Sequence, residues 1–523
     1  MADTQPAAAA AAPGLASPRE IKIILPGLLM AILLAMLDQL IVGTALPRIV
    51  GELGGVAHLS WVVTAYVLAA TVTTPLYGKL GDLYGRKKLF ITAIVIFLAG
   101  SALSGLAQSM AMLIAFRALQ GLGAGGLMVG AIAILGELVS PRERGKYMGY
   151  IMAVMMIATI GGPLAGGFIT DHFSWRWVFY INLPLGGATL VYLSRVLKLP
   201  AHRTEHVIDY LGAALLAVAA TAIVLVTTWG GSQYAWGSPE ITGLAAVGVA
   251  AVAAFLWAES RAVEPMLPLH LFRIRNFSLV AVLSFLVGLA MFGAITFLPL
   301  YQQTVQGASA TVSGLLLTPM MIGVMVTSII AGQVTSRTGR YKILPVVGSA
   351  GMGVGMFLLT QLGPATSRVT SGLFFVVLGL GMGLLMQTTS LMAQNSVELK
   401  DIGVASSSRI FFQQIGGSIG VSVFGALFAR ELTGSLSAAR PGASAGLHVS
   451  NGQFNPATVN VLPAPIKHDL FVAIAHAIDT VFIWAIPAMA AAFVVSLFIK
   501  EIPLRGRPDA EPSAPAEAPE LVG

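Results

Sequence analysis

Long apolar stretches recur from residue 21 to residue 499, and short segments between them hold most of the charged residues. Each stretch is about 20 residues long, the length that a helix needs to cross a bilayer. In lipid only a helix satisfies the backbone hydrogen bonds of a single segment, so each stretch predicts a spanning helix. The pattern predicts fourteen spans: 21–45, 59–78, 89–107, 111–135, 147–169, 176–197, 210–228, 240–258, 277–299, 311–334, 343–361, 369–392, 402–428 and 473–499.

The composition agrees with a membrane protein. Hydrophobic residues make up 56% of the chain and charged residues 10%, whereas soluble proteins carry about 25% charged residues. With so few charges the chain could not cover a water-facing surface. Cysteine is absent, which excludes disulfides and thiol chemistry. No nucleophile motif, metal-ligand cluster or phosphate loop is present, so we expect neither an enzyme nor a cofactor.

The basic residues give the spans an orientation. With the N-terminus in the cytoplasm, 22 of the 30 Lys and Arg residues fall in cytoplasmic segments and six in outer segments. Arg117 and Arg409 fall within spans. Basic residues concentrate on the cytoplasmic side, so we expect an inner (plasma) membrane protein with both termini cytoplasmic. The net charge of +7 then reflects topology, and nucleic acid is not an expected partner.

Two loops indicate an internal repeat. Residues 78–88 follow span 2, residues 332–342 follow span 10, and both have Gly, Gly, Arg and Lys at positions 1, 8, 9 and 11. Residues 44–47 (TALP) and 296–299 (TFLP) repeat at nearly the same offset. Two repeated halves are a common transporter plan. We therefore expect disordered cytoplasmic tails at 1–20 and 505–523, six-helix bundles at 21–200 and 276–504, and two inserted helices at 201–275.

Four segments carry a resemblance to a known family: 37–47 (LDQLIVGTALP), 78–88 (GKLGDLYGRKK), 117–125 (RALQGLGAG), and 162–167 (GPLAGG) with Gly149 upstream. There, and over roughly residues 20–500, the chain resembles the major facilitator superfamily, specifically its fourteen-helix drug:proton antiporters. The loop at 78–88 indicates only the superfamily. The segment at 162–167 and the fourteen spans indicate the antiporter branch.

The resemblance implies an all-α major facilitator fold and proton-coupled efflux of lipophilic cationic or neutral drugs by alternating access. The alternatives are an importer or exporter of a metabolite or lipid on the same fold, and a membrane protein without transport activity. The sequence departs from the family pattern at Ala158, where Gly is usual, and at Ser336, which replaces the Asp of the first loop. Gln413 stands where many relatives carry Arg, and an Arg appears instead at 409, so the role of that Arg is open.

Asp38 is the main candidate for proton coupling. An ionised carboxylate at a helix centre in a membrane costs about 2.5–3.5 kcal/mol, and no other acid lies deep in a predicted span. The resemblance implies that Arg117 takes part in proton transfer, and Gln120 shares its helix face. Asp38 and Arg117 could instead form a fixed structural pair, or Arg117 could extend to the outer interface.

The loop at 78–88 is a candidate conformational latch. Its glycines permit a tight backbone, and Asp82 can accept hydrogen bonds from amides at the start of a neighbouring helix. Such a contact would hold the cytoplasmic side closed in the outward-facing state. The predicted latch residues are Gly78, Gly81, Asp82, Gly85 and Arg86.

The fifth span carries the predicted antiporter motif. Its glycines and proline predict a kinked or flexible helix with a smooth face, which suits close packing and also a hinge. The motif residues are Gly149, Gly162, Pro163, Gly166 and Gly167.

The substrate-binding candidates are aromatic, Met and Gln residues in the spans, since aromatic faces attract cations and Met adapts to varied shapes. They are Tyr66, Phe292, Phe297, Tyr301, Met386, Gln387 and Phe412.

The expected partners are small lipophilic substrates and membrane lipids, with the proton as the coupling ion, and we expect a monomer. The long outer loop at 429–472 is rich in Gly, Ala and Ser. Two interpretations of it stay open: a disordered cover, or a docking site for a periplasmic adaptor.

Overall fold

The computed structural model describes residues 17–53, 59–139, 141–197, 209–231, 233–263, 265–308, 310–398, 401–439 and 464–504, and these fold into α-helices with short connections. The helices are α1 (Pro18–Leu53), α2 (Leu59–Tyr84), α3 (Arg86–Gly105), α4 (Met110–Leu138), α5 (Pro141–His172), α6 (Trp177–Tyr180), α7 (Asn182–Val196), α8 (Tyr210–Trp229), α9 (Pro239–Glu259), α10 (Arg275–Thr304), α11 (Ala310–Leu316), α12 (Thr318–Thr338), α13 (Ile343–Leu359), α14 (Arg368–Asn395), α15 (Ile402–Ala439) and α16 (Ala464–Leu497).

Within the described residues, twelve helical segments are long and apolar enough to cross a membrane. The all-α prediction is confirmed. Two predicted spans, 59–78 on α2 and 343–361 on α13, are outside the twelve, and α13 has only 17 residues.

Two predicted spans are interrupted by a break between helices. The span at 176–197 is divided at Ile181 into α6 and α7, and the span at 311–334 is divided at Leu317 into α11 and α12. Pro184 and Pro319 lie in the first turns of α7 and α12. A proline lacks the amide proton and clashes with the carbonyl four residues earlier, so the helical hydrogen-bond pattern is interrupted there, while Ile181 and Leu317 keep α-region backbone angles.

The first helix begins before residue 21. Ser17 accepts a hydrogen bond from the Glu20 amide at 3.2 Å, and the Glu20 carboxylate accepts one from the Ser17 amide at 2.7 Å. This reciprocal capping box fixes the start of α1. The predicted tail at 1–20 is therefore helical from Pro18 onward, and residues 1–16 lie outside the described part.

The helices form two groups, α1–α7 and α10–α16, each with its own buried apolar core. We call the end that carries residues 85–88 and the start of α15 the basic end. There α2 packs on α15, and α5 packs on α12. A Cβ placed on Gly149 of α5 would lie 2.5 Å from Ile329 of α12. The two groups are therefore in close contact at the basic end.

Helix α8 lies across the seam between the two groups. It contacts both α2 and α15. The Trp229 ring packs edge-on against Trp61 of α2 with 5.2 Å between centroids. Thr227 and Ser418 of α15 share a hydrogen bond between hydroxyls at 2.7 Å. The pair α8–α9 is thus attached to both groups.

Each of the two repeated loops has a glycine with a positive φ at its eighth position, although their ψ angles differ. Gly85 follows α2 with φ of 93°, and Gly339 follows α12 with φ of 68°. Both values lie in the left-handed region, which glycine adopts without the penalty that a Cβ brings. These glycines occupy the eighth position of each repeat, so the structure gives that pattern a physical reason.

Candidate functional site

The Asp38 carboxylate lies in a buried polar cluster within the first group of helices. The side chain is 0% exposed. Its Oδ2 accepts a hydrogen bond from Arg117 Nη1 at 2.6 Å, and its Oδ1 accepts bonds from Gln120 Nε2 at 2.8 Å and Asn182 Nδ2 at 2.7 Å. Both carboxylate oxygens are therefore satisfied, and the arrangement suits an ionised Asp38.

Arg117 is fixed by further contacts within α4 and with α2. Its Nη1 also donates to Gln120 Oε1 at 2.8 Å, and its Nε donates to the Val62 carbonyl at 3.3 Å. Its guanidinium lies 4.1 Å from the centre of the Tyr66 ring. The Tyr66 hydroxyl in turn donates to the Ala35 carbonyl at 3.2 Å, which joins α2 to α1. Arg117 lies inside the bundle, 1% exposed, so it does not extend to the interface.

Small residues bring these helices close enough for the cluster to form. A Cβ on Gly121 would lie 2.4 Å from the Tyr66 carbonyl oxygen, and a Cβ on Gly100 would lie 2.5 Å from the Gln120 backbone. Real Cβ atoms do not approach so closely, so α2, α3 and α4 pack at distances that only glycine allows. The glycines of the segment at 117–125 thus help to position its Arg and Gln.

Asn182 is a member of the cluster that the sequence analysis missed. It is fully buried at the start of α7, and its Nδ2 also donates to Ser101 Oγ of α3 at 2.9 Å. Its Oδ1 has no hydrogen-bond partner among the described residues. The only signal in the sequence was a single polar residue inside a predicted span, which does not by itself reveal its contact with Asp38.

Asp38 is the one acid among the four hydrogen-bonded side chains of the cluster. Protonation of Asp38 removes its negative charge and weakens the bond from Arg117, which always stays charged. The loss of that bond would remove one link between α4 and α1. A change of charge at one carboxylate can therefore change helix packing.

At the basic end, Asp82 connects the two groups of helices. Its Oδ1 accepts hydrogen bonds from Arg86 Nη2 at 2.7 Å and Nε at 3.1 Å. Its Oδ2 accepts one from the Val404 amide, in the first turn of α15, at 3.0 Å. Burial raises the pKa of the Asp82 carboxyl to about 6, although Arg86 and the Val404 amide act to lower it.

Arg86 extends this contact into the first group. Its Nη1 donates to the Ala133 carbonyl at 2.8 Å and pairs with the Glu137 carboxylate at 3.1 Å. Asp82 and Arg86 thus join α2, α3, α4 and α15 at one point.

The glycines predicted for the latch differ in their surroundings. A Cβ on Gly78 would lie 2.2 Å from Ser407 Oγ of α15, so only glycine fits there. At Gly81 the nearest atom would be 3.6 Å away, which is ordinary contact distance, and Gly85 has open space around it. Gly78 is required for packing, Gly85 for its backbone angle, and Gly81 for neither in this conformation.

The glycines of the fifth helix contact two different neighbours. A Cβ on Gly162 would lie 2.7 Å from Leu40 Cβ, and one on Gly166 would lie 2.2 Å from Thr44 Oγ1, so both pack against α1 next to Asp38. Gly149 packs against α12, and Gly167 has nothing within 4 Å. Pro163 lies on the same helix, between the two glycines that pack on α1.

Three of the substrate-binding candidates lie in packed regions. Phe297 is buried with its ring centre 5.3 Å from that of Phe428, and the buried Tyr301 donates to the Gly363 carbonyl at 2.9 Å. The Phe412 ring packs edge-on against the Phe272 ring, with 6.0 Å between the ring centres. These contacts give each side chain a structural function in the present conformation.

The other four candidates lie nearer to polar groups or are less tightly packed. Tyr66 is part of the Asp38 cluster. Phe292 and Met386 are half-buried against the core of the second group. Gln387 is buried, and neither its Oε1 nor its Nε2 has a hydrogen-bond partner among the described residues. The structure therefore does not gather all seven candidates into one surface.

Comparison with known proteins identifies the family. The sequence profile of the Major Facilitator Superfamily matches residues 28–421. An MFS-type transporter of Mycobacterium tuberculosis is 43% identical over 501 residues, which cover 96% of this chain and 72% of the relative. The multidrug transporter protein MdtP of Bacillus subtilis is 36% identical over 509 residues, covering 93% of this chain and 94% of the relative.

A solved structure supports the fold. The crystal structure of the human organic anion transporter MFSD10 superposes with a TM-score of 0.62 at 12% identity, covering 92% of this chain and all of that one. At this identity the likeness concerns the fold alone. This chain belongs to the major facilitator superfamily. It is a multi-pass membrane transporter with the all-helical fold of that superfamily, as the sequence resemblance predicted.

Proposed function

We propose that the protein exports lipophilic cationic or neutral compounds across the cytoplasmic membrane in exchange for protons. The buried Asp38, held by Arg117, Gln120 and Asn182, is the observation that carries the proposal. Export is supported by the names of relatives such as the multidrug transporter MdtP and multidrug resistance protein 3 of Bacillus subtilis, the latter 35% identical over 486 residues.

The proposed topology has fourteen spans, with α8 and α9 inserted between two six-helix bundles and both termini in the cytoplasm. It treats α6 with α7, and α11 with α12, as single interrupted spans, and it counts α2 and α13 as spans. The distribution of Lys and Arg supports a cytoplasmic location of the basic end. The contacts of Asp82 and Gly149 then lie on the cytoplasmic side and hold it closed.

In the proposed cycle, Asp38 takes a proton from the outside and the bond from Arg117 weakens. The two bundles then move apart at the basic end, and a substrate enters from the cytoplasm or the inner leaflet. Release of the proton to the cytoplasm restores the pair. Each inward proton supplies about 2.3 kcal/mol per 100 mV of membrane potential.

The proposal is tested by ethidium efflux from proteoliposomes that contain the purified full-length chain. We expect an acid-outside gradient to accelerate efflux, and a protonophore to abolish that acceleration. Ethidium accumulation in the direction of the proton gradient would show an importer instead. The absence of any gradient-dependent movement would contradict export of this class of compound.

A further inference from the structure

A buried cation without a partner acid lies in the second group of helices. Arg409 of α15 is 7% exposed, and its Nη1 donates to Gln413 Oε1 at 3.0 Å. Its Nε is buried without a hydrogen-bond partner, and no carboxylate of the described residues forms an ion pair with it. A guanidinium stays charged at any physiological pH, and burying a charge without compensation is costly. An anion bound beside Arg409 would compensate this buried charge.

Two glutamine side chains stand at about the same level of α14 and α15, and one of them accepts the bond from this guanidinium. Gln394 of α14 donates to Ser406 of α15 at 2.9 Å, which fixes the register of these antiparallel helices. Gln387 lies seven residues before Gln394 on α14, and Gln413 lies seven residues after Ser406 on α15. Because the helices are antiparallel, both glutamines stand at the same level, about 10 Å along the axis from that bond. Both amide atoms of the buried Gln387 lack partners, and the Nε2 of Gln413 has only a long contact of 4.0 Å to a methionine sulfur.

We propose that Arg409, Gln413 and Gln387 form a binding site for the carboxylate of an amphipathic substrate. The guanidinium Nε and the Gln387 NH₂ group have no acceptor among the described residues, and the Gln413 NH₂ group has only the methionine sulfur. A carboxylate is a planar acceptor of two or more such bonds, and bonds from a guanidinium to it are among the strongest in proteins. The apolar part of the substrate would contact the half-buried Phe292 and Met386 nearby.

The position of the site at the seam explains how a substrate reaches it. Ile410, the next residue, belongs to the buried cluster of the first group of helices, which also contains Tyr66. Arg409 therefore lies beside a surface that is covered only while the two groups are in contact. Separation of the groups uncovers it, so the site is occupied and emptied as the protein changes conformation.

This inference rests on the proposed transport function and extends the range of substrates to lipophilic acids. Asp38 lies in the first group of helices and Arg409 in the second. The proposed transport pathway therefore contains buried side chains of opposite charge. Binding at equilibrium needs no proton gradient. The inference can therefore fail while gradient-driven ethidium efflux is observed, and the reverse can also occur.

The test is equilibrium binding of the fluorescent acid 1-pyrenebutyrate to the purified full-length protein in an uncharged detergent. The neutral amide 1-pyrenebutyramide is the matched ligand. We expect Arg409→Gln to weaken binding of the acid about tenfold or more, and Arg409→Lys to weaken it less. Binding of the amide should be unchanged in both variants. Octanoate should displace the acid, and octanol should not.

Two further variants keep the test decisive. Arg195→Gln removes an exposed arginine at the end of α7 and should bind the acid like the wild type. Gln387→Leu leaves the charge in place and should weaken binding of the acid but not of the amide, which provides a result if Arg409→Gln does not fold. An equal loss of affinity for the acid and the amide would overturn the proposal. So would an unchanged affinity for the acid in both Arg409→Gln and Gln387→Leu.

Discussion

At the scale of single residues, the sequence was informative where a residue is costly to bury. Asp38 and Arg117 stand out because a charge within a span needs a reason, and the structure shows that they contact each other at 2.6 Å. Asn182 could not be found in this way, because a neutral amide in a membrane helix is compatible with many environments. Its role depends on how α7 packs against α1 and α3, which a single sequence does not reveal.

The contribution of Asn182 can be measured by replacing it. We expect Asn182→Leu to lower the free energy of unfolding by about 1–3 kcal/mol, because the ionised Asp38 loses one of its donors. Gradient-driven ethidium transport should slow as well. Thermal unfolding of the purified protein and proteoliposome transport are the measurements.

Thr189→Val is the matched control for this prediction. Thr189 lies on the same helix and is buried, but its hydroxyl donates only to the Leu185 carbonyl within α7. If Thr189→Val lowers the Tm and the transport rate as much as Asn182→Leu does, the bond to Asp38 has no special importance.

At the scale of elements, the apolar periodicity predicted helices well and their ends less well. The breaks near Pro184 and Pro319 and the early start of α1 follow from local chemistry, namely two prolines and a capping box at Ser17 and Glu20. Contacts between elements were largely beyond prediction. The position of α8 between α2 and α15 depends on surfaces far apart in the chain.

The contact between α2 and α15 should respond to pH. In the closed conformation, burial raises the pKa of Asp82 to about 6, from an ordinary value of 3.8. We expect separation of α2 from α15 to expose Asp82 to water and to return its pKa toward that ordinary value. The conformation with the higher pKa binds the proton more tightly, so acidification from about pH 6 to pH 4 favours the closed basic end. Above about pH 6 this contribution is lost.

Spin labels provide the measurement for this prediction. The chain has no native cysteine, and Lys88 and Arg337 are exposed at the basic end, one in each group of helices. The distance between labels on Lys88→Cys and Arg337→Cys should shorten between pH 6 and pH 4. Asp82→Asn should reduce this change, and an identical response in that variant would assign the pH dependence to another group.

At the scale of the whole molecule, the repeat predicted two related halves, and a glycine with positive φ ends α2 in one group and α12 in the other. The halves are not equivalent in charge. Asp38 lies within α1, whereas its repeat equivalent at position 290 is Ala, and Asp82 corresponds to Ser336. In the proposed mechanism, one half thus carries the proton site and the latch carboxylate, while the other supplies the helix that the latch binds.

A cysteine pair across the two groups tests whether they must separate for transport. A Cβ on Gly149 would lie 3.7 Å from Ile329 Cβ, within the range of about 3.5–4.5 Å found in disulfides. We expect the double variant Gly149→Cys, Ile329→Cys to lose ethidium transport on oxidation and to regain it on reduction. The single variants should not respond to the oxidant. Full transport by the crosslinked protein would exclude separation at this end.

The most direct test of the account measures transport by Asp38→Asn with and without a proton gradient. Asn keeps the shape of the side chain but cannot take up or release a proton in the cycle. We predict that the variant loses ethidium efflux driven by an acid-outside gradient but still exchanges ethidium across the membrane when no gradient is applied. Gradient-driven efflux at the wild-type rate in Asp38→Asn would contradict the account, because the proton would then be coupled through another residue.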